Sequence, residues 1–381
     1  MKRLIALTLC LLMLLPVPCF ALEAVPEDTL KLSAPSAVLM HTDGTVLYAK
    51  DAHKPMAPAS ITKVMTLLLT AEALEEGRLA FTDVITASPY ACSMGGSQIW
   101  LEEGEQMTVE ELVKCVVMAS ANDCAVALAE AVAGSEEAFV SRMNARAREL
   151  GMEHTTFVNC CGLDAQGHMT TAYDIALMSR ALMAYTWIET YTTRWQDTIR
   201  DGAFTLTNTN KMIRQYEGMI GLKTGSTSGA GFCLSAVARR EEMSLIAVVM
   251  GAENSTLRNG DIRSLLDFGF ANYCEIPIVP TDPLPDLSVR LGKKKSVPLV
   301  LGEQVGILTE KNNAAALRTD LDLETNLEAP IQKGQQVGTL SVMDGETVLR
   351  QVPVVAAEDC PRQSLLDLFF WLISCIGMRK K

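Results

Sequence analysis

Histidine and aromatic residues are scarce in this chain: four histidines in 381 positions, and 6% Phe, Trp and Tyr. No H-E-x-x-H helix and no paired-cysteine spacing occurs, so the usual zinc signatures are missing. Basic residues are also in deficit, 33 Lys and Arg against 45 Asp and Glu, and a formal net charge of −12 argues against nucleic-acid binding. Cysteine is present, 11 in all, but not as a framework. Cys115, Cys124 and Cys233 lie within apolar runs and read as small core residues, and the adjacent Cys160 and Cys161 are unsuited to conventional bridging. No stretch after the N-terminal segment reaches the length needed to span a bilayer. The apolar run Ser364–Met378 would extend about 20–23 Å as a helix, against a hydrocarbon core of about 30 Å.

The ends and the middle of the chain carry organisational signals. Residues 1–24 begin with Lys2 and Arg3, continue through apolar Leu4–Leu15 and end at small residues near Ala21 and Ala24, the pattern of a secretory signal peptide. Its removal after Ala21 would take the charge from −12 to −14, and loss of Cys10 and Cys19 would leave an odd number of cysteines. The proline-rich stretch 276–285 reads as a linker between two domains, 25–275 and 286–360. Within the second, short β-type runs at Ser296–Leu301, Gln304–Leu308, Gln336–Val342 and Thr347–Val355 alternate with turns and indicate a small all-β domain. Residues 361–381 end in Arg379-Lys380-Lys381 after the short apolar run. This tail is expected to anchor the protein at a membrane surface rather than cross the bilayer.

Three motifs then carry the chemistry. Ser60-Ile61-Thr62-Lys63 precedes Val64, Leu67, Leu68, Ala71 and Leu74, whose spacing predicts one apolar face of a helix starting near Ser60. Lys63 falls one turn on, beside the hydroxyl, where the helix N-terminus favours developing negative charge. A serine hydroxyl is a weak nucleophile until a base takes its proton. Lys63 serves as that base only if burial or a nearby cation lowers its pKa, and Lys223 is the expected cation. Taken alone, the motif reads equally as a helix-capping serine and an exposed lysine. Ser120-Ala121-Asn122 forms a small polar break between two apolar helical runs. Ser120 there could relay a proton and Asn122 could bond a substrate amide, or the break could be a simple helix–helix turn. Lys223-Thr224-Gly225 lies in the first of three successive strand-like runs, Met219–Thr227, Phe232–Ala238 and Leu245–Met250, read as an antiparallel meander. An extended peptide can pair with such a strand, Gly225 allows close backbone approach, and Lys223 and Thr224 offer a charge and a hydroxyl to a carboxylate.

With these motifs in this order, the sequence resembles the low-molecular-mass penicillin-binding proteins, specifically the serine-type D-alanyl-D-alanine carboxypeptidases. Further matching landmarks are Gly95-Gly96-Ser97, Gly151 through Phe157, Gly162-Leu163-Asp164, Asp174, Asn208-Thr209-Asn210 and Gly269-Phe270. They cover roughly residues 30–275. The resemblance implies an α+β fold: a β-lactamase/DD-peptidase-like domain, with an antiparallel sheet flanked by helices and a helical subdomain, followed by a small all-β domain. It implies a Ser60 nucleophile, a Lys63 general base and a pocket lined by Ser120 and Asn122. Lys223 and Thr224 would hold the substrate's terminal carboxylate with help from Arg258. The backbone N–H groups of Ser60 and of Ser226, the residue after Gly225, would form an oxyanion hole. Two positions depart from the common pattern: Ala121 stands where many members carry glycine, and Cys160 where a proline often follows the asparagine. His168, in a Gly-Leu-Asp-x-x-Gly-His loop shared with the family, reads as structural.

The expected activity is removal of the terminal D-alanine from peptidoglycan stem peptides through an acyl-Ser60 intermediate, outside the cytoplasmic membrane, with β-lactams as covalent inhibitors. No metal or organic cofactor is implied. A D,D-endopeptidase on the same scaffold and a non-catalytic wall-binding protein are the alternatives. A β-lactamase is disfavoured because no Glu-x-x-x-Asn lies between Gly162 and Tyr191 to activate a deacylating water.

Overall fold

The computed structural model describes residues 24–280, 283–303, 306–313, 317–365 and 367. The chain divides into two compact units, Leu22–Asn272 and the segment from Tyr273 onward. The expected signal peptide (except Ala24) and most of the expected tail lie outside the described residues. No described helix is long and apolar enough to cross a membrane.

The first unit is built on a five-stranded antiparallel sheet. Its strands are β1 (Ser36–His41), β2 (Val46–Lys50), β3 (Met219–Thr227), β4 (Gly231–Arg240) and β5 (Met243–Ala252), in the order β2–β1–β5–β4–β3. The three expected meander strands are thus present, the first with the expected bounds and the other two slightly longer than the apolar runs that marked them. Strand β5 is buried along nearly its whole length, which is why its sequence reads as a continuous apolar run rather than an alternating one.

Helices cover both faces of this sheet. Ser179 of the helix Ala172–Met183 shares a hydrogen bond with Ser235 of β4 at 2.7 Å. On the opposite face, Gly269 of the helix Ser255–Asn272 lies against Leu245 and Leu39 so closely that an added Cβ would sit 2.5 Å from Leu245 Cδ1. Glycine there sets how near the helix lies to the sheet.

The helix Lys63–Glu75 departs from the single apolar face its spacing suggests. Ten of its 13 residues are buried, Lys63, Thr66 and Thr70 among them. The polar residues are satisfied internally: Thr66 Oγ1 donates to the Cys160 carbonyl at 2.7 Å and Thr70 Oγ1 to the Thr66 carbonyl at 2.8 Å. It is a central helix, so its polar positions mark buried hydrogen bonds and not a solvated side.

The second unit opens on strand Tyr273–Pro277, paired with Gly306–Glu310, so the first two residues of the proline-rich stretch belong to a strand. A four-stranded antiparallel sheet follows, in the order Leu299–Leu301, Thr347–Ala356, Gln336–Asp344, Leu317–Leu323. Val297, Val337, Leu340, Val352 and Val354 form its core. Leu317–Leu323 is a strand the sequence reading missed.

Candidate active site

Ser60 lies in a short 3-10 turn, Ala59–Thr62, that runs directly into the helix Lys63–Glu75. The turn is held in an unusual backbone shape: Ala59 has φ +48°, in the left-handed region that costs a non-glycine residue of order 1–3 kcal/mol. The loop 159–163 braces it. The Asn159 carboxamide oxygen accepts from the backbone N–H groups of Cys161, Gly162 and Leu163, at 2.7 Å for Gly162, which fixes this loop without a proline. Gly162 has φ +86°, and a Cβ there would stand 1.8 Å from the Ala59 carbonyl oxygen. Gly162→Ala is therefore expected to displace the Ser60 turn, lowering stability by about 2–4 kcal/mol and slowing acylation by at least about ten-fold. A thermal melt and a penicillin-labelling time course on the same variant measure both.

Lys63 is fully buried, and its ammonium nitrogen has three neighbours: Ser60 Oγ at 3.1 Å, Asn122 Oδ1 at 2.6 Å and the Cys161 carbonyl oxygen at 2.7 Å. Two of the three are carbonyl-type acceptors that take N–H donors only. A neutral amine has two N–H bonds and one lone pair, so satisfying both carbonyls leaves the lone pair for the Ser60 hydroxyl proton. Burial is the main cause that pulls the Lys63 pKa below that of an ordinary lysine, and the Cys161, Cys160 and Asp123 side chains partly offset it. Of the two expected causes, burial is the larger, and the repulsion between Lys63 and the buried Lys223 disfavours charge on both. The Lys223 pKa is pushed well down, first by burial, then by Lys63 and Arg258.

Ser120 ends a wide helical turn, Cys115–Ala119, and takes up φ +60° before the helix Asn122–Ala133 begins. Its hydroxyl is buried without a hydrogen-bond partner among the described residues and lines the cleft, so it can take a substrate or a water. Asn122 has a contact that its motif did not announce. Its oxygen takes Lys63 and its nitrogen donates to the Gly95 carbonyl at 2.6 Å, making it a brace for the lysine. The buried Asp123 carboxylate accepts from the N–H groups of Ile99 and Leu101, both at 3.1 Å, and pins the 95–101 loop at the cleft.

Strand β3 is an edge strand, pairing only with β4 among the described residues. It passes so near the serine turn that a Cβ on Gly225 would lie 3.0 Å from the Ser60 backbone nitrogen. Lys223 and Arg258 are both buried, and neither has a carboxylate within ion-pair distance among the described residues. Arg258 sits in the first turn of the helix Ser255–Asn272, with its guanidinium on Asn259 Oδ1 at 2.9 Å.

These elements enclose a cleft of about 310 Å³ lined by Ser60, Ser120, Thr224, Gly225, Ser226 and Arg258, with Lys63, Asn122 and Lys223 behind its wall. Ser97, Thr209, Lys211 and Phe232 also line it. The signal for Ser97 and Thr209 was present in Gly95-Gly96-Ser97 and Asn208-Thr209-Asn210, but no sequence reading gave them a role at the cleft. No histidine lines it. His168 is buried elsewhere: Nδ1 accepts from the Val158 N–H at 2.9 Å, which leaves Nε2–H to donate to Thr62 Oγ1 at 2.8 Å. Burial lowers its pKa to about 4 and keeps it neutral.

A sheet covered on both faces, with a serine, a buried lysine and an edge strand meeting at one cleft, defines an active-site serine hydrolase that works without histidine. Residues 23–254 match the family model described as D-alanyl-D-alanine carboxypeptidase, and residues 281–362 match that of the penicillin-binding protein 5 C-terminal domain. The chain is 41% identical over 375 residues to the D-alanyl-D-alanine carboxypeptidase DacF of Bacillus subtilis, covering 96% of each. It is 33% identical to the D-alanyl-D-alanine carboxypeptidase DacC of Escherichia coli, covering 89% of this chain and 87% of the relative. Among solved structures, penicillin-binding protein 3 from Streptococcus pneumoniae superposes with a TM-score of 0.75 at 29% identity, covering 87% of this chain and all of that one. Penicillin-binding protein 5 from Haemophilus influenzae does so with a TM-score of 0.73 at 28% identity, covering 89% and 100%. The chain belongs to the D-alanyl-D-alanine carboxypeptidase family of serine peptidases.

Proposed function

We propose that this carboxypeptidase removes the terminal D-alanine of peptidoglycan stem peptides through an acyl-Ser60 intermediate. The observation that carries the reading is the placement of Lys63 Nζ 3.1 Å from Ser60 Oγ, with two carbonyl acceptors taking its N–H bonds. Lys63 takes the hydroxyl proton as Ser60 attacks the penultimate D-alanine carbonyl. Ser120, whose hydroxyl is unpartnered, relays that proton to the leaving amine. The developing oxyanion is met by the N–H groups of Ser60 and Ser226. Thr224 and Gly225 line the wall along which the extended peptide pairs with β3. β-Lactams enter the same acylation step, since they present a carboxylate beside a reactive carbonyl.

Lys223 and Arg258 make the site selective for a free C-terminus. Two buried cations without a carboxylate of their own are costly, and a substrate carboxylate supplies the missing charge. A pentapeptide ending in D-Ala-D-Ala is expected to be cleaved about 10²-fold more efficiently than the same peptide with a C-terminal amide. Equal rates on the two peptides, measured as D-alanine or D-alanine amide released, would contradict the carboxypeptidase role and favour an endopeptidase. The secretory pattern of residues 1–24 and the short apolar tail with its basic end support export and attachment to the outer face of the cytoplasmic membrane.

A further inference from the structure

Behind the active site, on the far side of the Lys63 contacts, two thiols and a carboxylate converge without a role in the reaction. Cys160 and Cys161 are buried, unbonded, and have their sulfurs 3.7 Å apart. With a Glu136 carboxylate oxygen, the three donor atoms lie within 4.8 Å of one another. Two sulfurs each about 2.3 Å from a tetrahedral ion stand about 3.8 Å apart, so the observed separation already suits a shared metal. Glu136 is also the gate. It is half-buried at the wall of a second cleft of about 530 Å³, lined by Tyr90, Glu130, Glu136, Glu137 and Val158, whose three carboxylates would draw in a cation.

We propose that Glu136, Cys160 and Cys161 form an inhibitory site for a thiophilic divalent cation of the zinc class. The ion would bind two sulfurs and one carboxylate oxygen, with water in the fourth position, and each thiol proton would be lost to solvent. The coupling to catalysis is direct. Cys161 supplies the carbonyl that holds Lys63 at 2.7 Å, and its thiol donates to the Asn122 backbone carbonyl at 3.4 Å. Loss of the Cys161 thiol proton to the metal removes its bond to the Asn122 carbonyl and sets a thiolate against that carbonyl, which disturbs the segment that orients the lysine.

Cobalt(II) serves as the probe, added to the full-length, freshly reduced, metal-free protein. One equivalent is expected to produce the thiolate-to-cobalt charge-transfer absorption in the near ultraviolet, and zinc(II) is expected to abolish it by competition. Cys160→Ser should weaken metal binding by at least about ten-fold, and Glu136→Gln should also weaken it. The Cys92→Ser control, at a thiol outside the cluster, should leave it unchanged. Saturating zinc(II) should slow penicillin labelling about ten-fold in the wild type and less than two-fold in Cys160→Ser. Retained labelling of the metal-free Cys160→Ser protein shows that it folds. No absorption in the wild type, or an undiminished band in both cluster variants, would overturn the site. A normal band with unchanged labelling would overturn its inhibitory role.

Discussion

Ser60→Ala is expected to release no measurable D-alanine and to take up no penicillin, while melting at nearly the wild-type temperature. Loss of a serine nucleophile removes about 10⁴–10⁶ from kcat in hydrolases of this kind, and the residual rate comes from binding and the oxyanion donors alone. The fold should tolerate the change because, among the described residues, the hydroxyl's only hydrogen bond is with Lys63. Penicillin labelling read by gel fluorescence and D-alanine release read by a coupled oxidase give two independent readings. Labelling at the wild-type level in this variant would remove Ser60 from the mechanism.

Lys63 should be nearly as intolerant, and its two substitutions separate two roles. Lys63→Ala is expected to slow acylation by about 10²–10⁴-fold, the usual span for a positioned base. Lys63→Arg keeps a positive charge but cannot give up its proton, so it should fail as badly. An arginine variant acylating at the wild-type rate would make the lysine a mere electrostatic partner. The pH profile follows from the same burial. The neutral amine is the active form and the Lys63 pKa is lowered, so the acylation rate should rise with pH and level off below the ordinary lysine value of 10.5. Lys223 works in the opposite sense. It must be charged to hold a carboxylate, and its pKa is pushed well below the usual lysine value, so KM should climb as pH rises through that lowered range. A bound carboxylate favours the charged form of Lys223 and delays that climb in the complex.

Local spacing made part of this site readable. Ser60 and Lys63 are three apart at the start of a helix, so one turn brings them together whatever surrounds them. Lys223, Thr224 and Gly225 follow one another on a strand whose apolar neighbours announce it. What could not be read is what arrives through the backbone of distant segments. The Cys161 carbonyl that orients Lys63 comes from 98 residues away and no motif announces it, and the motif that marked Asn122, 59 residues away, did not show that its oxygen meets Lys63. The sequence named burial as one of two possible sources of the Lys63 pKa shift, and the packing around its helix is what makes burial the larger. Thr66 and Thr70 look like a polar face in sequence because their partners, the Cys160 and Thr66 carbonyls, are backbone groups. Arg258 was marked only by the family resemblance; the polar residues around it begin a helix. The missed strand Leu317–Leu323 sets Leu317, Thr319, Leu321 and Leu323 against Arg318, Asp320 and Asp322, and its two aspartates lower its apparent strand propensity.

The most direct test of the account is to quench the enzyme in acid during turnover of a D-Ala-D-Ala-terminated pentapeptide and weigh the protein and its proteolytic fragments. The account predicts an adduct with the mass of the peptide less its terminal D-alanine, on the fragment that contains Ser60. D-alanine release with no adduct, or with an adduct on any other residue, would contradict it.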